Sequence, residues 1–169
     1  MKAYLVTVDP GTRYLAYAVV SSEGRLIEAK KFVLDAEMLG VRCAQAAQWM
    51  RHITYGGCHA LLVEHPRVNQ GSRADPNDIV DLATITGACC TAPVGNVMLV
   101  KPSRWKGSVP KKIHQARLLG RLPLDWIKML GDSVKDHDIV DAVGIAWWAV
   151  QTGMVVLKDG SNNQPKRTV

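Results

Sequence analysis

The sequence predicts an α/β domain built on a mixed five-stranded sheet, with three antiparallel N-terminal strands and helices flanking the sheet. Three observations point to it. Apolar, strand-like runs broken by turn residues fill the first third of the chain, and from there helix-like and strand-like segments alternate. The length of 169 residues, 47% of them hydrophobic, suits one buried core. No repeat or linker divides the chain, so we expect a single domain over residues 1–158 and a disordered basic tail over 159–169, where polar residues and Pro165 leave no apolar period.

Each element has its own signal. Residues 3–8 are aliphatic and β-branched and run into Asp9-Pro10-Gly11-Thr12, a strong turn sequence. Residues 15–20 form a second strand before Ser21-Ser22-Glu23-Gly24, and 25–34 a third, so the three make an antiparallel meander. Over 36–53 the residues Leu39, Cys43, Ala46, Ala47, Met50 and Ile53 recur at helical spacing, and Gly56-Gly57 closes that helix. A short buried strand follows at 60–63, ending in Glu64-His65-Pro66, and a polar loop spans 67–77. Residues 78–92 read as helix, 96–100 as strand, the segment to Arg121 as basic with a helical end, and 138–152 as a largely apolar last helix.

Four acids stand out because they interrupt apolar stretches. Asp9 ends the first strand, Glu64 ends the fourth, and Asp138 and Asp141 begin the last helix. Burying a carboxylate costs free energy unless a cation compensates it. At i and i+3, Asp138 and Asp141 lie only about 60° apart around a helix. If the first and fourth strands are neighbours, all four converge. Converging carboxylates suit a hard divalent cation, Mg²⁺ or Mn²⁺, and two such ions are a known device for phosphodiester hydrolysis. The alternative is local: Asp9 capping its turn, Asp138 an N-cap, and Asp141 in the first helical turn.

Charge narrows the partners. The formal net charge of +6 comes from one stretch: residues 101–121 hold seven basic residues and no acid, while the rest of the chain has 14 basic and 15 acidic residues. A located basic strip suits a polyanion, above all nucleic acid. No apolar run approaches the roughly 20 residues of a membrane span, and Asp9 comes too early for a signal peptide. We therefore expect a cytoplasmic protein with no membrane partner. Cys43, Cys58, Cys89 and Cys90 lack zinc-site spacing and read as reduced thiols.

Val8-Asp9-Pro10-Gly11-Thr12-Arg13, Leu62-Val63-Glu64 with Pro66, and Asp138-Ile139-Val140-Asp141-Ala142-Val143-Gly144-Ile145-Ala146 resemble, in order and separation, the three signature blocks of the RuvC family of Holliday junction resolvases. Lys101 to Lys112 resembles the region of phage-type members whose basic residues face DNA. The resemblance implies an RNase H-like fold, a homodimer, and two-metal-ion nicking of two symmetric strands at a four-way junction in a bacterial or phage-infected cell. It implies Asp9, Glu64, Asp138 and Asp141 as ligands of two Mg²⁺ ions, with Mn²⁺ able to substitute, and Lys106 with Lys111 or Lys112 near the scissile phosphate.

Two departures accompany it. Arg67-Val68-Asn69-Gln70 stands where bacterial members carry an aromatic wedge, and Asp136 and His137 directly precede Asp138, so either could replace it as a ligand. Arg67, Asn69 and Arg73 offer side chains for phosphate and base-edge contacts. Trp105, between Arg104 and Lys106, is a candidate to stack on a base, or else a core residue. The alternatives are a nuclease for other branched DNA or RNA, or a non-catalytic protein that binds branched DNA. The Asp-x-Gly-Thr turn also occurs in actin-like ATPases and sugar kinases, which need two such domains; 169 residues are too few, and no nucleotide cofactor is expected.

Overall fold

The structure, a computed structural model, describes residues 3–67 and 75–154. Five strands form one sheet: β1 (Ala3–Pro10), β2 (Tyr14–Ser21), β3 (Leu26–Val33), β4 (Ala60–Glu64) and β5 (Asn96–Val100), in the order β3-β2-β1-β4-β5. The first three are the expected antiparallel meander, and β1, β4 and β5 run parallel, so the sheet is mixed. The β1–β2 turn depends on Gly11. Its amide donates to the Tyr14 carbonyl at 2.8 Å, and a Cβ there would lie 2.9 Å from that same oxygen.

Alternation along β1 assigns the two faces. Val6 and Val8 join Leu61 and Val63 in a core covered by α1 (Leu39–Thr54) and α2 (Pro76–Cys89). Leu5 joins Ala60 and Leu62 in the opposite core, beneath α6 (His137–Gln151). Most of α6 is buried, which explains its nearly continuous apolar sequence. Thr7 Oγ1 donates to the Ala142 carbonyl at 2.7 Å and so ties the middle of β1 to α6. Arg42, buried on α1, donates to the Thr12 carbonyl at 2.5 Å and to Asp81 Oδ2 at 3.3 Å, linking the β1–β2 turn to both helices of its layer.

Between β5 and α6 the chain forms α3 (Pro102–Trp105), α4 (Lys111–Leu119), α5 (Leu124–Leu130) and a 3₁₀ turn over Gly131–Lys135. Nothing in the sequence reading anticipated α5, a seven-residue helix entered at Pro123 that buries Trp126 and Leu130. The expected start of the second helix also shifts. Asp75 caps it by accepting from the Asn77 amide at 2.8 Å, and Pro76 takes the first helical position, where its missing N–H costs nothing. Among the described residues no helix is long and apolar enough to cross a membrane. The tail beyond residue 158 lies outside the described residues.

Candidate active site

The parallel pairing of β1 and β4 is registered through Val8 and Val63. One residue further on come Asp9 and Glu64, at the same end of adjacent strands and on the face that carries α6. Asp138 and Asp141 sit in the first turns of that helix, and Thr7 fixes the helix against β1. The four acids therefore line one cavity of about 230 Å³, together with Tyr14, Lys106 and Lys111.

Capping accounts for neither Asp138 nor Asp141. The N-cap of α6 is Asp136, whose Oδ1 accepts from the amides of Asp138 at 3.1 Å and Ile139 at 3.4 Å. Asp136 is also held at 2.5 Å by Lys31, and hydrogen bonds from Lys31 and these amides outweigh burial to keep its carboxyl below the usual range. Asp136 and His137 do not line the cavity, whereas Asp138 and Asp141 do.

The acids and ammonium groups alternate. Lys106 Nζ lies 3.1 Å from Glu64 Oε1 and 3.7 Å from Asp141 Oδ2. Lys111 Nζ lies 3.3 Å from Asp141 Oδ2 and 3.8 Å from Asp138 Oδ1. Lys31 continues the series, 3.4 Å from Asp138 Oδ2 and paired with Asp136. Asp9 has no ion pair with Lys106 or Lys111. Burial, with the carboxylates of Glu64 and Asp141, pushes its carboxyl well above the ordinary range, and Lys106 offsets this only in part. Burial also raises Glu64, against the pull of Lys106. For Lys111, burial disfavours the charge, but Asp141 and Asp9 outweigh it and raise the pKa.

Two neutral side chains orient the acids. Gln115 Nε2 donates to Asp141 Oδ1 at 2.8 Å and to the His137 carbonyl at 3.1 Å; Gln115 and Asp141 are both buried. Trp105 Nε1 donates to Glu64 Oε2 at 3.0 Å. The indole itself is 8% exposed and packs against α6 at Gly144, where an added Cβ would lie 2.5 Å from the ring and 2.8 Å from Leu118. Of the two readings of Trp105, base stacking or core packing, the ring has the second: it packs in the core and holds Glu64 from behind.

The remaining expected contacts divide. Arg67 is exposed and lines a larger cleft of about 520 Å³ that includes Asp9, Glu64, Lys106 and Lys111. Arg104 and Lys112 are exposed and line neither this cleft nor the acid cavity. Asn69 and Arg73 lie outside the described residues. Sequence reasoning missed Gln115 and Lys31. The spacing of Gln115 four residues after Lys111, on one face of α4, was the available signal for the first; Lys31 carried none.

The donor set suits a divalent cation in kind, since all four acids offer hard oxygen ligands and Asp9 sits in a field of like charge. The arrangement is not a formed coordination shell: among the described residues no group of three or more His, Cys, Asp or Glu is close enough together to hold a metal ion. Lys106 and Lys111 stand between the carboxylates instead.

No protein-family model and no curated protein matches the chain. Among solved structures it is similar to Thermus thermophilus RuvC in complex with a Holliday junction substrate, with a TM-score of 0.64 and 17% identity over 88% of this chain and 96% of that one. A second Thermus thermophilus RuvC structure gives a TM-score of 0.58 at 17% identity over the same shares. The yeast mitochondrial Holliday junction resolvase Ydc2 gives 0.51 at 12% identity, over 92% of this chain and 82% of that one. At such identities the likeness is one of architecture: the chain has the RNase H-like fold of the RuvC resolvases.

Proposed function

We propose that the chain is a structure-selective DNA endonuclease that resolves four-way junctions by paired symmetric nicks. The observation that carries this reading is the convergence of Asp9, Glu64, Asp138 and Asp141 in one cavity that opens beside a cleft edged by basic residues. The fold supports it, since the solved structures that share it include a RuvC bound to a Holliday junction substrate.

In this reading the four acids would hold two divalent cations, Mg²⁺ or Mn²⁺, which when bound supply activation of the attacking water and stabilisation of the leaving oxygen. The chain's own residues do the rest. Gln115 and Trp105 fix the rotamers of Asp141 and Glu64. Lys106 and Lys111 present ammonium groups where a scissile phosphate would sit, and Arg67 extends the positive edge along the cleft. Arg104 and Lys112, exposed on the same basic segment, supply further backbone contacts. Two nicks require two sites, and a homodimer supplies them by two-fold symmetry.

The test is incubation of the full chain with labelled four-way, three-way, flap and linear duplex DNAs, each with Mg²⁺, Mn²⁺ or chelator. Paired nicks in the four-way junction, dependent on metal, are expected. Equal cleavage of all four substrates would remove the junction claim, and cleavage in chelator would remove the metal claim.

A further inference from the structure

A second cavity, of about 540 Å³, lies behind the acid site. The basic segment that faces the cleft with Lys106 and Lys111 faces this cavity with His114, Arg117 and Arg121. From the other side α6 supplies Trp147 and Trp148, at the end of the helix where its burial becomes partial. Among the described residues no Asp or Glu lines the cavity. Trp147 is braced edge-on by Trp126, with ring centroids 5.4 Å apart, so its orientation is set by the core. His114 meets Trp105 edge-on at 5.0 Å, and its buried Nε2 has no hydrogen-bond partner among the described residues.

The volume falls in the range of small-ligand sites, about 300–1,000 Å³. Flat indole surface selects a flat apolar group, and guanidinium groups with no opposing carboxylate select an anion. A nucleotide unit joins the two. In duplex DNA the base faces are occupied by their stacked neighbours, so only an unpaired base offers one to an indole. We propose that this cavity binds an unpaired nucleotide of single-stranded DNA, with its base on the Trp147–Trp148 side and its phosphate on Arg117 and Arg121. The inference needs no cleavage and stands apart from the metal chemistry. Lys106 and Val109 line both the cleft and this cavity, and Trp105 lines this cavity, so an occupant would touch the side chain that holds Glu64.

The test uses the full chain in chelator, which stops any cleavage, and fluorescence anisotropy with labelled dT10 and a fully paired duplex of the same length. Trp148→Ala should weaken dT10 binding about 5- to 150-fold, the range for loss of one base–aromatic stack, and change duplex binding less than about twofold. Trp148→Phe should retain most of the dT10 affinity, and Arg117→Ala with Arg121→Ala should lose it. Unchanged dT10 binding by Trp148→Ala overturns the proposal. Equal losses on both DNAs overturn it too, because they mark a general backbone contact or a damaged fold. Tighter binding of an alternating Glu-Tyr peptide than of dT10, abolished by the same substitutions, would reassign the cavity to a protein partner.

Discussion

Gln115 and Lys111, one helical turn apart on α4, hold opposite oxygens of one carboxylate: Gln115 Nε2 reaches Asp141 Oδ1 at 2.8 Å and Lys111 Nζ reaches Oδ2 at 3.3 Å. The amide also binds the first turn of α6 through His137. Replacing Gln115 by Leu keeps the bulk but strips a buried acid of its neutral donor. We expect Gln115→Leu to lower stability by about 1–3 kcal/mol in urea unfolding. Gln115→Glu, which sets a second carboxylate against Asp141, should cost more.

Asp9 gives a prediction with a definite sign. Its carboxyl is raised in the folded protein by burial and by Glu64 and Asp141. The unfolded chain therefore releases this proton at lower pH than the folded one, near 3.9. Folding stability contributed by this group is present below that value and lost as pH rises toward the folded pKa. In chelator at neutral pH, Asp9→Asn should melt at a higher temperature than the native chain, and the gain should vanish at acid pH. The same substitution should cut junction nicking by more than about 100-fold, beyond the 10–100-fold typical of a lost supporting partner.

Trp105→Phe removes the Nε1 donor together with part of a buried indole, while Glu64 keeps Lys106. A loss of about 1–3 kcal/mol in thermal or urea unfolding is expected, with a larger relative loss of nicking because Glu64 is free to turn.

Arg42 has no place in the proposed chemistry, yet it braces the turn that follows Asp9. Arg42→Met should remove its bonds to the Thr12 carbonyl and Asp81 and destabilise the chain by about 1–3 kcal/mol. Asp81 is about one-third exposed, and water limits the cost of leaving it unpaired.

DNA affinity should fall steeply with salt. Each phosphate contact contributes a slope of about −0.9 in log K against log salt on duplex DNA. Arg67→Ala, at the cleft edge, should make the measured slope shallower by about one contact, and Arg25→Ala, on a turn at the opposite end of β2, should leave it unchanged.

The strands and the four acids were legible because both are local signals: an apolar run has a length, and a charge at its end is conspicuous. The i, i+3 spacing of Asp138 and Asp141 carried the rest. Partners distant in sequence were not legible. Lys31 meets Asp138 across 107 positions with no trace in the residues beside it, and Gln115 meets Asp141 across 26 with only its spacing from Lys111 as a signal. Trp105 stayed ambiguous for the opposite reason. Its basic neighbours suggested a DNA-facing surface, but in the short helix α3 adjacent side chains point in different directions, and the indole turns inward while Arg104 stays in solvent. The short helix α5 offered too few turns for a period to emerge.

Gly144 touches no acid and bears no functional group, yet the indole that holds Glu64 can approach only because nothing projects from α6 at that point. The catalytic reading thus depends on a vacancy as much as on any side chain. A single methyl there would press on Trp105 and Leu118 together, and the strain would reach Glu64 through the indole that holds it. The tolerance of this face of α6 at Gly144 is set by shape, at its smallest residue.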